Sequence, residues 1–310
     1  MTSAISTSMS TRLWIMLVLL SMLWGGSFFF VGIAVNELPP LTIVALRVGI
    51  AAITLWFIAL LIGLKPPKEL KVWGAFFKVG LLNNVIPFVL IVWGQTQIAS
   101  GLASILNAAT PISAVIVAGL LLPDERPTPL KIMGVGIGFI GVVVMIGLPA
   151  LSGGGSLLAQ LAVITATICY AFAGVYSRRF KTLGINPIIV AAGQVTASTM
   201  ILLPISLLVD GPLNTSNVSS HTWFAIIGLA VVSTALAYVM YFKIIELAGA
   251  TNVLLVTLLV PVSAILLGYV FLNETLEPIH FVGMSLIALG LSAIDGRLWK
   301  GLSNIKQVSK

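Results

Sequence analysis

Charge is what this sequence has least of. Only 8% of its 310 residues are Asp, Glu, Lys or Arg, while 59% are hydrophobic. A water-soluble domain carries about a quarter charged residues, so this chain has too few polar side chains to cover a surface in water. Cysteine is nearly absent too. The single Cys169 lies inside an apolar run, which excludes an internal disulfide and a thiolate metal cluster. Two histidines, His221 and His280, are far apart, so no metal site is expected and nothing calls for a cofactor. The nine acidic residues avoid the interiors of the apolar runs. An integral membrane enzyme would need acids, histidines or metal ligands clustered at one membrane face, and that cluster is missing.

Long apolar runs are what the chain has instead. A helix needs about 20 residues to cross roughly 30 Å of hydrocarbon. Ten such runs are expected, at about 13–35, 41–63, 73–93, 97–122, 130–149, 157–177, 187–209, 222–243, 248–272 and 279–295. Prolines punctuate the gaps at Pro39-Pro40, Pro66-Pro67, Pro127, Pro129 and Pro187. The first run continues through Trp24 to Val35 without a small-residue cleavage pattern, so it reads as an uncleaved transmembrane helix. With the N-terminus in the cytoplasm, 15 of the 16 Lys and Arg residues fall at or near the inner side. The outer loops then hold only acids such as Glu37, Asp210, Glu274 and Glu277. The net charge of +7 is therefore a positive-inside signal. The lipid bilayer is the expected partner, and nucleic acid is not.

The chain also repeats itself. Pro111-Ile112-Ser113-Ala114 matches Pro261-Val262-Ser263-Ala264 at an offset of 150. Glu125, Pro129, Gly134 and Gly141 match Glu274, Pro278, Gly283 and Gly290 at an offset of 149. Each copy holds five helices, an odd number, so the second copy must enter the membrane from the opposite side. The expected fold is thus an all-α integral membrane protein of ten helices, built as two inverted repeats around a central cavity. Its divisions are a cytoplasmic N-terminus at 1–12, repeats at 13–149 and 157–295, a linker at 150–156 and a basic tail at 296–310. Inverted repeats recur in secondary transporters, whose substrate sites lie at the repeat interface. That step is an analogy of fold. A non-transporting scaffold or sensor is the alternative it leaves open.

The paired Pro-x-Ser-Ala, Glu, Pro, Gly and Gly series resembles the EamA-type repeats of the drug/metabolite transporter superfamily. Trp24-Gly25-Gly26-Ser27 is similar to that family's opening helix. The resemblance implies a ten-helix transporter, often an exporter of amino acids or other small metabolites, in the inner membrane. A small-molecule substrate, a proton as coupling ion and a homodimer are the further partners considered.

Several residues are candidates for a substrate site. Arg47 is the one cation that the positive-inside pattern leaves over, seven residues past Pro40 in the second run. It suits an anchor for a carboxylate or phosphate, or else an Arg that snorkels outward. Its repeat partner is Gln194. Asn84 matches Thr234, and Phe88 matches Tyr238, at the offset of 150. The Asn83-Asn84 pair suits either substrate binding or an interhelical hydrogen bond. Trp24 and Tyr238 are aromatic cavity candidates. Pro111 and Pro261 are expected as mid-helix hinges that free the carbonyls of Asn107 and Thr257 for binding. Glu125 and Glu274 are expected as acids in the first turns of the fifth and tenth helices.

Overall fold

The structure is a computed structural model that describes residues 11–122, 128–152, 155–212, 218–248 and 256–295. Glu125 and the basic tail lie outside these residues. Among the described residues ten helices follow one another: α1 (Thr11–Ala34), α2 (Pro40–Leu61), α3 (Leu70–Gly94), α4 (Ser100–Leu121), α5 (Pro129–Ser152), α6 (Gly155–Thr182), α7 (Pro187–Val209), α8 (220–248), α9 (Val256–Leu272) and α10 (Pro278–Asp295). No strand occurs among the described residues. Seven helices, all but α5, α9 and α10, are long and apolar enough to span a membrane over their described length. The chain is an integral membrane protein.

The two halves are related by an exchange of helices. α1 packs on α9 and α4 on α6; α3 packs on α6 and α8 on α1; α2 packs on α8 and α7 on α3. These six pairings form three couples, and the two members of each couple exchange when the halves are swapped. α2–α7 and α5–α10 pair each helix with its own counterpart. Small residues fix these crossings. Ser263 Oγ donates to the Ser21 carbonyl at 2.7 Å, while its counterpart Ser113 meets Thr167 Oγ1 at 2.7 Å. A Cβ on Gly141 would meet Gly283 O at 2.8 Å, and one on Gly290 would meet Gly134 O at 2.5 Å. Residue 141 thus faces 283 and residue 134 faces 290, so α5 and α10 run antiparallel. α2 and α7 do the same, with Thr42 against Asp210 and Trp56 against Thr196. The repeats are inverted.

Three helices depart from the simple α-helical expectation. α3 consists of α-helical Leu70–Gly80, a π-helical stretch Leu81–Val85 and α-helical Ile86–Gly94. α8 repeats this with Ser220–Ile227, π-helical Gly228–Leu236 and Ala237–Ala248. The offset of 150 maps 81–85 inside the second π stretch. α4 is broken instead, into Ser100–Asn107 and Thr110–Leu121. Pro111 therefore sits in the first turn of a new helix, where its missing N–H costs nothing. It is not a kink in a continuous one, and the Asn107 carbonyl is not free. Thr110 Oγ1 donates to it at 2.6 Å. Pro261 differs from its counterpart in lying within a continuous helix.

Acids at one end of the bundle tie the halves together. Glu274 precedes Pro278 and does not cap its own helix α10, as the sequence suggests. Its carboxylate reaches the start of α4, accepting from Ser100 N at 2.8 Å, Ser100 Oγ at 2.7 Å and Gly101 N at 3.1 Å. The positive end of a helix dipole favours an anion there whichever segment supplies it. Asp210, at the end of α7, likewise accepts from Thr42 N and Oγ1 near the start of α2, at 2.8 and 2.7 Å. Glu37, after α1, accepts from Ser219 N before α8 at 2.8 Å. Each cap crosses from one repeat to the other. Glu274→Ala removes three hydrogen bonds and is expected to destabilise the fold by about 2 kcal/mol, read as a lower melting temperature in detergent.

Glu37 gives a pH dependence with a defined sign. The Ser219 N–H, and then the hydroxyls of Ser219 and Thr222, hold its carboxyl below the ordinary value of 4.5. A depressed carboxyl contributes stability that is present above the unfolded value and lost as pH falls through the folded one. Wild type and Glu37→Gln are therefore expected to differ in melting temperature at neutral pH and to converge in acid below pH 4.5. An unchanged difference in acid would count against the cap.

Candidate functional site

Several polar residues of the apolar bundle come together where α2, α3, α7 and α8 meet. Arg47 is 6% exposed, so it neither snorkels outward nor faces lipid. Its Nε donates to Thr234 Oγ1 of α8 at 2.9 Å, and its guanidinium lies over the Phe88 ring of α3, 3.6 Å from the centroid. Thr234 is held in turn, because its hydroxyl donates to the Leu229 carbonyl at 2.8 Å within the π stretch. That bond spans five residues, the spacing that a π turn opens.

The counterpart residues form the other half. Asn83 Nδ2 donates to Gln194 Oε1 and to the Tyr238 hydroxyl, both at 3.2 Å. The Tyr238 hydroxyl donates to Asn84 Oδ1 at 3.1 Å, and Asn84 Nδ2 donates to Ser198 Oγ at 3.3 Å. Ser198 Oγ also reaches back to the Gln194 carbonyl at 2.7 Å. Arg47, Thr234 and Phe88 on one side thus stand against Gln194, Asn83, Asn84 and Tyr238 on the other. The arrangement is two-fold in position and asymmetric in charge. Glycines let the helices close on it. A Cβ on Gly80 would meet the Gln194 carbonyl at 2.7 Å, and one on Gly193 would enter the Phe76 ring.

Aromatic side chains extend the network toward α1. Tyr238 stacks on Phe242 at 6.3 Å between centroids, Phe242 meets Tyr241 at 5.3 Å, and Tyr241 meets Trp24 at 5.4 Å. Trp24, Tyr170, Asn83, Tyr238 and Tyr241 all keep partial exposure, while Asn84 and Gln194 are sealed at 0% and 3%. Asn84 is therefore an interhelical tie. The two prolines and the residues four before them lie elsewhere. Asn107 is on α4 and Thr257 on α9, helices that pack chiefly on α6 and α1. Asn107 Oδ1 is buried without a hydrogen-bond partner among the described residues. Ser198 escaped notice in the sequence, although it follows Gln194 by four residues and so shares its helix face. Asn107, Gln95, Gln160 and Ser233 carry the buried polar atoms left unpartnered among the described residues. Groups of three or more potential metal ligands are absent from those residues as well.

A model of the EamA-like transporter family matches residues 12–147 and again 157–294. The chain belongs to the EamA-like transporter family. An uncharacterized transporter of Archaeoglobus fulgidus is 27% identical over 283 residues, covering 90% of this chain and 96% of that protein. The uncharacterized transporter YyaM of Bacillus subtilis is 25% identical over 96% of this chain and 98% of its own length. Protein PecM of Dickeya dadantii is 26% identical, covering 88% of each. A crystal structure with 20% identity superposes with a TM-score of 0.66, over 92% of this chain and 97% of the other, and shares the fold. This EamA-like transporter carries its polar network where its two family repeats meet.

Proposed function

We propose that this membrane transporter is a secondary carrier that exports a small polar or amphipathic metabolite by alternating access, with the α2–α3–α7–α8 network as its substrate site. Matching π-helical stretches in α3 and α8, on counterpart segments of inverted repeats, carry the reading. A π turn is a site where hydrogen-bond register shifts cheaply, and such turns cluster at functional sites. Two of them flanking one polar network give the halves a matched place to rearrange. Both termini are assigned to the cytoplasm on the distribution of Lys and Arg.

The test is a metabolite-efflux screen in cells that overproduce the protein, beside Thr234→Val and Asn84→Leu variants. At least one metabolite is expected to accumulate outside the wild-type cells and to fall toward the empty-vector level in both variants. Equal media from wild-type and empty-vector cells would sink the reading. In a Cys169→Ser background, a cysteine at Thr275 is expected to label from outside and one at Lys65 only after permeabilisation.

A further inference from the structure

We infer that the cargo is a small carboxylate whose anionic group is bound by Arg47, an assignment that rests on the site proposed above. The guanidinium is held on one edge and one face only. Nε is committed to Thr234 and the ring face to Phe88. Among the described residues the two terminal nitrogens have no hydrogen-bond acceptor, and only Nε is engaged. The titratable groups that act on Arg47 among the described residues are the phenols of Tyr170 and Tyr238, with no acid among them. The acids at the ends of α1 and α7 are occupied elsewhere, Asp210 with Thr42 and Glu37 with Ser219.

A cation so far inside an apolar bundle is costly unless something balances it. Among the described residues the protein supplies orientation without a counter-ion. Thr234 fixes the plane of the guanidinium, Phe88 covers one face, and the pair of terminal nitrogens is left as a fork that matches a carboxylate. The other wall is neutral. Gln194 stands where two-fold symmetry would place a second cation, with Asn83 and Tyr238 hydrogen-bonded beside it. One positive charge balances a carboxylate, whereas a phosphate monoester carries about −1.5 to −2 and calls for more. The partly exposed Tyr238, and beyond it Tyr241 and Trp24, add apolar surface. The cargo's non-ionic part is accordingly amphipathic or aromatic.

Purified full-length protein in detergent decides this by thermal shift with a panel of α-amino acids, hydroxy acids and arylacetic acids, each beside its primary amide. Acids from the panel are expected to raise the melting temperature of wild type while their amides do not. Arg47→Gln is expected to weaken their apparent affinity roughly 10- to 100-fold, and Arg47→Lys to retain part of it. Amides that match their acids, acids that act equally on Arg47→Gln, or an acid set that leaves wild type unmoved would each overturn the assignment. Inorganic phosphate acting more strongly than any carboxylate would overturn it as well. Amides that bind and also appear in the efflux screen would overturn the carboxylate while leaving the transport reading intact.

Discussion

Gly290→Leu is expected to leave almost no folded protein in the membrane, and Gly141→Leu to do nearly the same. A Cβ at position 290 meets the backbone of α5: Gly134 O at 2.5 Å, Gly138 N at 2.7 Å and Gly138 Cα at 2.9 Å. At position 141 it meets Gly283 O at 2.8 Å and Ile287 N at 2.9 Å. Backbone cannot rotate away as a side chain can, so α5 and α10 must move apart along their whole crossing. In lipid no hydrophobic force draws helices together. Their association rests on close van der Waals contact, which small residues permit and a wider separation forfeits. Overpacking ordinarily costs about 1–3 kcal/mol, and a clash with two backbone segments belongs at or above the top of that range. Gly136 is the control. Nothing lies within 4 Å of a Cβ placed there, so Gly136→Ala is expected to stabilise by up to about 1 kcal/mol through helix propensity. Yield in membranes and melting temperature in detergent separate the two signs. Equal behaviour of the 136 and 290 variants would show that the glycines do not set the crossing.

These glycines illustrate what the sequence can reveal. Gly134, Gly141, Gly283 and Gly290 stand out as a repeated pattern, and a two-fold structure turns that pattern into reciprocal contacts. Gly136 and Gly138 look the same in sequence, yet 136 faces open space and 138 faces Ile112. Helix number and order follow from apolar length, because lipid leaves a chain few alternatives. What stays hidden is anything decided by hydrogen-bond register or by distant loops. The π stretches have no side-chain signature of their own. In α3 the stretch precedes Pro87, which lacks a donor, whereas in α8 the same place is filled by Ala237. Glu274 lies 174 residues from the serine it caps. Its nearest helix start in sequence is that of α10, so local reasoning assigns it to the wrong one. Pro111 reads as a hinge within one helix because the apolar run is unbroken, whereas one helix ends at Asn107 and the next begins at Thr110. The matches of Arg47 with Gln194 and Asn84 with Thr234 are visible as offsets. Only packing reveals that Arg47 touches Thr234 while Gln194 touches Asn83.

Arg47→Ala is expected to abolish transport while leaving the protein as stable as wild type, or more so. The two effects have separate causes. Removing one partner of a buried polar pair ordinarily costs several kcal/mol because the other is orphaned. Here the partner is not orphaned. Thr234 keeps its bond to the Leu229 carbonyl, and Phe88 loses only a cation–π contact of about 0.5–2 kcal/mol. Against that loss stands relief of the desolvation of a full charge, which is several kcal/mol in a low-dielectric interior. The balance favours a neutral residue, so the structure retains Arg47 at a cost to its own stability. Such a cost is expected where the charge serves a ligand. Efflux of the cargo found in the overproduction screen, measured beside the melting temperature of the same variant, tests both halves. Arg47→Lys sharpens the result: it keeps the charge and its desolvation but lacks the planar fork, so partial transport with unrelieved stability is expected. A variant Arg47→Ala that melts several degrees lower and still transports would reverse the assignment, making the arginine a structural tie between α2 and α8.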